Sequence, residues 1–274
     1  MPGYALKTFV VDILAANDGP LAVSALIDAA RWFGFSEGAL RVCLSRLTRR
    51  KLLEASEVGG RSCYGFTRGA ASVNRAVRDR VWFDRRRRFS GRWLLVVLTG
   101  ESAGRAAREE AARRLRALHL RPIAPAVWAR PDNISLSLPP VLDAYRAAGG
   151  RAEVFTASPA GATSLAARVP KLWDVERLGS RLAACLVELE ASRARVETLA
   201  YEEALVESLR VGAAAFRLVA SDPLLPLETL PRDWPGERLR NAVVEYNHLG
   251  CDLWAGVAFG RPARNPRPRR PRSR

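Results

Sequence analysis

The sequence is poor in the residues that build metal centres, disulfide frameworks and most hydrolytic sites. Its four cysteines, Cys43, Cys63, Cys185 and Cys251, stand far apart with no CxxC pair, and only His119 and His248 accompany them. That distribution excludes a zinc-ribbon or disulfide-stapled scaffold and reads as reduced, buried thiols. No HExxH or P-loop occurs, so no reaction is assigned, no cofactor or metal is expected, and the chain reads as a non-enzyme. The paired acids Glu109-Glu110 and Glu202-Glu203 do not change this, because adjacent helical residues point about 100° apart. No apolar run reaches the roughly 18 residues of a membrane span. The stretch MPGYALKTFVVDILAAND carries Lys7 and Asp12 without a cleavage-site pattern, so a cytoplasmic protein with no membrane partner is expected.

Acids are also scarce relative to bases. The 274 residues hold 44 Lys and Arg against 28 Asp and Glu, a net charge of +16. Residues 1–90 have 16 bases and 8 acids, residues 91–260 have 21 and 20, and residues 261–274 have 7 and none. A basic excess confined to the N-terminal region and the tail points to a polyanion met by those two segments.

What is present is helical periodicity followed by a hairpin signal. YALKTFVVDILAAND places Leu6, Phe9, Val10, Ile13 and Leu14 at helical spacing and ends at NDGP; LAVSALIDAARWFGF is a second short helix ending near Gly34. SEGALRVCLSRLTRRKLL is a third, with Ser36 placed to cap it. LLEASEV and RSCYGFT, joined by Gly59-Gly60, form a β-hairpin, since paired glycines supply the positive φ of tight turns. Three helices and a hairpin make a winged helix-turn-helix pattern over residues 1–70, followed by a basic connecting helix over 71–90. RWLLVVLT is then a strand, SAGRAAREEAARRLRALHL a helix capped by Ser102, PIAPAVWAR and NISLSL extended, PPVLDAYRAAGG a helix, and AEVFTAS a strand. That βαββαβ order predicts a ferredoxin-like middle domain over 91–160. LWDVERLGSRLAACLVELEASRARV, TLAYEEALVESLRVGAAAFRLVA and Glu237–Leu253 predict an all-α C-terminal domain over 161–260, and the fold class is α+β. RPARNPRPRRPRSR, residues 261–274, reads as a disordered tail, either an arm on DNA or a solubilising extension.

The third helix has a polar side that asks for a partner. With Arg41 at 0° and 100° per residue, Leu40, Cys43, Leu44 and Leu47 fall between about 200° and 300°, one core-facing stripe. Arg41, Ser45 and Arg49 fall between about 0° and 80°, and Arg46 near 140°. An α-helix fits the major groove of B-DNA, where Arg bonds guanine bidentately and Ser reaches bases or phosphate. Gly38 keeps the leading end slim. Arg41 and Ser45 are therefore expected to read bases, Arg46 and Arg49 to read bases or hold phosphate, Ser36 to stand at the helix start on the DNA side, and Arg61 on the hairpin to hold backbone. Lys51 is expected at the helix C-terminus. The partner implied is double-stranded DNA; the alternative is an RNA-binding or structural nucleic-acid protein that uses the middle domain.

LRVCLSRLTRRKLL…GGRSCYGFT, RWLLVVL, LWDVERL and SDPLLPLETLPRDWPGERL together resemble the PaaX-type repressors of phenylacetic acid catabolism, over all but the Arg/Pro tail. The resemblance implies a homodimeric repressor with a winged helix, a ferredoxin-like middle and a helical C-terminal domain, released from its operator by an acyl-CoA such as phenylacetyl-CoA. It carries the DNA-binding role onto Arg41, Ser45, Arg46 and Arg49. For such an effector, Trp128 and Trp173, with Trp234 and Trp254 behind them, offer aromatic walls. Arg130 and Arg177, with Lys171 and Arg181, offer cations for phosphate, and His248 beside Tyr246 and Asn247 reads as a polar core or cap residue. The middle segment also resembles small CRISPR-associated ferredoxin-fold nucleases, which hold a metal through an Asp at the end of the first strand. Here LLVVLTGES offers Thr99 and Gly100 instead, and the metal has no anchor.

Overall fold

The computed structural model describes residues 4–17, 19–82, 86–100, 102–136, 138–158, 165–255 and 257; the Arg/Pro tail expected to be disordered lies outside them. In chain order the elements are α1 (Leu6–Ala16), β1 (Leu21–Ala22), α2 (Val23–Trp32), α3 (Glu37–Arg49), β2 (Leu53–Val58), β3 (Arg61–Phe66), α4 (Arg68–Trp82), β4 (Trp93–Thr99), α5 (Arg105–Ala117), β5 (Arg121–Ala124), β6 (Val127–Pro131), α6 (Pro139–Ala147), β7 (Arg151–Ala157), α7 (Val169–Leu172), α8 (Val175–Val196), α9 (Tyr201–Ala220) and α10 (Gly236–Ala255). The chain is α+β, with two small antiparallel sheets and a helical C-terminal region. It divides into two compact units, Met1–Phe83 with Leu182–Ser221 and Gly236–Arg274, and Asp84–Arg181 with Asp222–Pro235.

The first unit is built on the amphipathic stripes of α1, α2 and α3. Phe9, Val10, Ile13 and Leu14 of α1, Leu26, Ile27, Ala29 and Ala30 of α2, and Leu40, Leu44 and Leu47 of α3 close one core with Leu21, Leu53 and Leu209 of α9. Beneath the α2–α3 turn, Phe9 meets the Phe33 ring at 4.7 Å between centroids. Gly59 and Gly60, at φ 57° and 72°, turn β2 into β3 with Val58 opposite Arg61. Two positive φ angles in succession are the type I′ geometry that suits twisted strands. A third strand, which no alternation in the sequence announces, completes the sheet: β1 pairs with β3, Leu21 opposite Tyr64 and Ala22 opposite Cys63. Gly65 makes room for this approach, because a Cβ would stand 3.3 Å from Pro20 Cα and Cβ, closer than an ordinary contact.

Polar contacts add α9 and α10 to this unit. The buried Asp12 carboxylate accepts from Tyr4 Oη at 2.5 Å and pairs with Arg217 of α9. Burial and the neighbouring Asp12 push the Tyr4 phenol above its ordinary range. Trp254 of α10 packs edge-on to Trp32 and donates to Ser208 Oγ at 3.2 Å, and Arg240 donates to the carbonyls of Arg80 and Val81 at the end of α4. Buried Glu207 accepts from Ser192 Oγ at 2.9 Å, Arg195 Nε at 3.0 Å and Arg210 Nη2 at 2.6 Å, while Ser192 also meets Tyr246 Oη at 2.7 Å. Burial alone would raise the Glu207 carboxyl; the bonds from Arg195, Arg210 and Ser192 outweigh it and hold it below its ordinary value.

The second unit is a four-stranded antiparallel sheet of order β5-β6-β4-β7. Alternation along β4 sends Val96 and Leu98 to one face, under Ala111 and Leu115 of α5 and Val141, Leu142 and Tyr145 of α6, and Trp93 to the other, against Val169, Trp173, Val175 and Leu225. Three expectations are corrected here. PIAPAVWAR is two strands rather than one, because Ala126 takes φ 62° and turns the chain between β5 and β6, and the described residues of NISLSL join neither sheet. Asn133 is instead buried, bonding Arg130 and the Leu224 carbonyl. Ser102 does not cap α5, whose N-cap is Gly104.

Candidate nucleic-acid interface

Ser36 opens α3: its Oγ accepts from Ala39 N at 3.3 Å, which satisfies one of the free amides of the first turn. The helix closes on a Schellman turn, in which Lys51, at φ 56°, donates from its amide to the Thr48 carbonyl while Leu52 N reaches Leu47 O. Between these ends Leu40, Leu44 and Leu47 are 0–3% exposed, and each contributes about 2 kcal/mol by leaving water. Cys43, expected in the same stripe, is only half-buried at its edge, where burial raises its thiol and the nearby Arg46 and Lys7 oppose the rise. The apolar side thus fixes which way the helix faces.

The opposite side is open. Arg41, Ser45, Arg46 and Arg49 are all exposed, as is Arg61 at the tip of the β2–β3 hairpin. Arg46, Arg49, Arg61 and Ser45 make no side-chain hydrogen bond or ion pair among the described residues. Arg41 does have a partner: its Nε and Nη2 lie 2.9 and 2.8 Å from one oxygen of Glu37, an i,i+4 pair that the sequence reading passed over. Glu37 also stands 4.0 Å from Arg31, itself paired with Asp28 at 3.3 Å. A second residue was missed: Val42 lies amid the cations and is 51% exposed. Both signals were in the sequence, one in the four-residue spacing and one in the wheel angle of 100° that sets Val42 between Arg49 and Arg46.

The residues expected to meet a small ligand are brought together only in part, Trp173 and Trp234 sharing one cluster. Trp128 and Trp173 pack in separate clusters on opposite faces of the four-stranded sheet. Arg116 lies 5.0 Å over the Trp128 ring, and Trp173 Nε1 donates to the His119 carbonyl at 3.0 Å. Arg130 is 1% exposed and donates to the carbonyls of Pro131, Leu118 and Pro223 and to Asn133 Oδ1. With Asn133 bonding Leu224 O, it clasps the SDPLLP segment, whose turn Asp222 holds by accepting from Leu224 N at 2.8 Å. Arg177, Lys171, Arg181 and His248 are exposed. In the first unit a cleft of about 410 Å³ is lined by Asn17, Glu54, Phe66, Arg75 and Asp79, among others; its interspersed acids disfavour a polyanion such as CoA.

The outward cationic face of α3 and the adjacent hairpin fall within residues 6–69, which match a family model described as "PaaX-like protein"; residues 173–250 match a second, "PaaX-like protein C-terminal domain". The chain belongs to the PaaX-like family. Within it, the transcriptional repressor PaaX of Escherichia coli (strain K12) is 25% identical over 241 residues, covering 85% of this chain and 75% of that protein. Among solved structures, the uncharacterized protein Rv0674 from Mycobacterium tuberculosis aligns with a TM-score of 0.63 and 26% identity over 91% of this chain and 97% of the other. The first PaaX-like match contains all of α3, β2 and β3, and the second contains α8, α9 and most of α10. Among the described residues no helix is long and apolar enough to cross a membrane, and no cluster of His, Cys, Asp and Glu is placed to hold a metal.

Proposed function

We propose that this PaaX-like protein is a DNA-binding transcriptional repressor whose α3 is the recognition helix of a winged helix-turn-helix. The observation that carries the reading is the exposed face of Arg41, Ser45, Arg46 and Arg49, held outward by the buried Leu40, Leu44 and Leu47. Four residues, with Gly34 at φ 76°, separate α2 from α3, as in the turn of helix-turn-helix proteins, and the β2–β3 hairpin supplies a wing with Arg61 at its tip. Arg41 and Ser45 read base edges; Arg46 and Arg49 read bases or hold phosphate; Arg61 holds backbone; Ser36 is engaged as the helix cap and presents the helix start to a phosphate.

The order β5-β6-β4-β7 with α5 and α6 on one face supports a ferredoxin-like arrangement for residues 91–160. Family membership supports the rest of the reading: a cytoplasmic homodimer, two recognition helices on two half-sites, and release by an acyl-CoA effector of the phenylacetyl-CoA kind. Such release requires the effector to bind the DNA-incompetent geometry more tightly, since equal affinity for both geometries shifts nothing. The test is a mobility shift with the DNA upstream of the protein's own reading frame, against RNA of equal length, followed by titration with acyl-CoA thioesters. Retardation of the DNA alone, reversed by a thioester, is expected. Preference for the RNA would overturn the recognition-helix reading, and DNA binding insensitive to every thioester would overturn the effector.

A further inference from the structure

One apolar side chain stands in the middle of the cationic face of α3. Val42 leaves 51% of its surface in water, and a β-branched residue is a weaker helix former than Ala. Its neighbours on the helix surface are Gly38 and Ala39 one turn earlier, Arg41 beside it, and Ser45 and Arg46 one turn later, all exposed. A Cβ at Gly38 would meet nothing within 4 Å, so the approach to Val42 from the N-terminal side is open. Among the described residues the isopropyl group is thus the largest apolar surface beside the two arginines expected in the groove, with a clear path in front of it.

We propose that Val42 is a specificity-determining residue whose methyl groups pack on the 5-methyl of a thymine next to the base read by Arg41. In the major groove thymine is distinguished by that methyl, which apolar side chains recognise. The neighbouring cations cannot provide this contact, because arginine discriminates through acceptors that thymine shares with other bases. The inference rests on the DNA-binding reading of α3 and adds to it the chemical identity of one contacted base.

The experiment uses the full-length protein and a duplex enriched by it from a random-sequence pool, synthesised once with thymine and once with uracil, which removes only the methyl groups. Burying one methyl is worth about 0.8 kcal/mol, so the wild type is expected to bind the thymine duplex about fourfold more tightly for each half-site. Val42→Ser, an exposed substitution with no core contact to lose, is expected to bind the two duplexes alike. Equal binding of both by the wild type, or a thymine preference undiminished in Val42→Ser, would overturn the contact while leaving DNA binding intact. Failure to enrich any duplex would overturn the recognition-helix reading and this contact with it.

Discussion

Replacing Glu37 with Gln separates the two things that its carboxylate does. In the free protein it holds Arg41 at 2.8 Å, with the two side chains 44% and 60% exposed. An exposed i,i+4 pair of that kind is worth about 0.5 kcal/mol, and that much is given up when Arg41 turns to a base. A phosphate about 8 Å from Glu37 adds repulsion of about 0.5 kcal/mol in water, less with salt. Glu37→Gln is therefore expected to tighten binding by about 1 kcal/mol, or about fivefold, per recognition helix. Stability should move the other way. Glu37 is the first residue of α3, where an acid favours the helix dipole by roughly 0.3–1 kcal/mol, and it also faces Arg31 across the α2–α3 turn. The melting temperature should drop by about 2–4 °C. Fluorescence anisotropy on the upstream duplex and calorimetry read the two effects. Unchanged affinity with a lowered melting temperature would mean that Arg41 does not leave Glu37 for DNA, and weakened binding would mean that the carboxylate itself accepts from a base.

Other perturbations probe the scaffold. Lys51→Gly relieves a side chain held at φ 56° and should stabilise the protein by about 0.5–1 kcal/mol in chemical denaturation; a loss would show that the lysine contributes more than its backbone costs. Arg130→Met leaves the Pro131, Leu118 and Pro223 carbonyls without their donor and should cost about 3 kcal/mol or more; a near-neutral result would remove the clasp from the account. Because the Glu207 carboxyl is held below its ordinary value, its share of stability is full above the unfolded-state pKa and drains away as pH falls through the folded one. Denaturation midpoints should therefore drop on acidification in the wild type and drop less in Glu207→Gln, and parallel profiles would contradict the assignment.

The sequence shows best what is local. The Leu40, Leu44, Leu47 stripe, the Ser36 cap and the Gly59-Gly60 turn each rest on neighbours within a few residues, and all three are in the structure. β1 is two residues long and has no period to detect; only the pairing of Leu21 with Tyr64, set by the close approach of Pro20 to Gly65, makes it a strand. The division of PIAPAVWAR depends on the left-handed turn at Ala126, a conformation that alanine does not advertise. Trp128 and Trp173 are both large and near cations in sequence, but alternation along β6 turns Trp128 to one face while Trp173, after α7, packs with Trp93 and Ala129 on the other. The partner of Arg41 was legible by spacing, yet a charge pattern examined for one sign does not reveal the acid that answers it.

The central claim is that the outward face of α3 reads duplex DNA, and Arg41→Ala tests it most directly. Its affinity for the upstream duplex and for a scrambled duplex of equal length and composition, measured side by side with the wild type, gives the specificity ratio. The account predicts that the ratio falls by about 1–3 kcal/mol, roughly five- to 150-fold, while binding to the scrambled duplex changes little. An equal loss on both duplexes, or no loss on either, would contradict it.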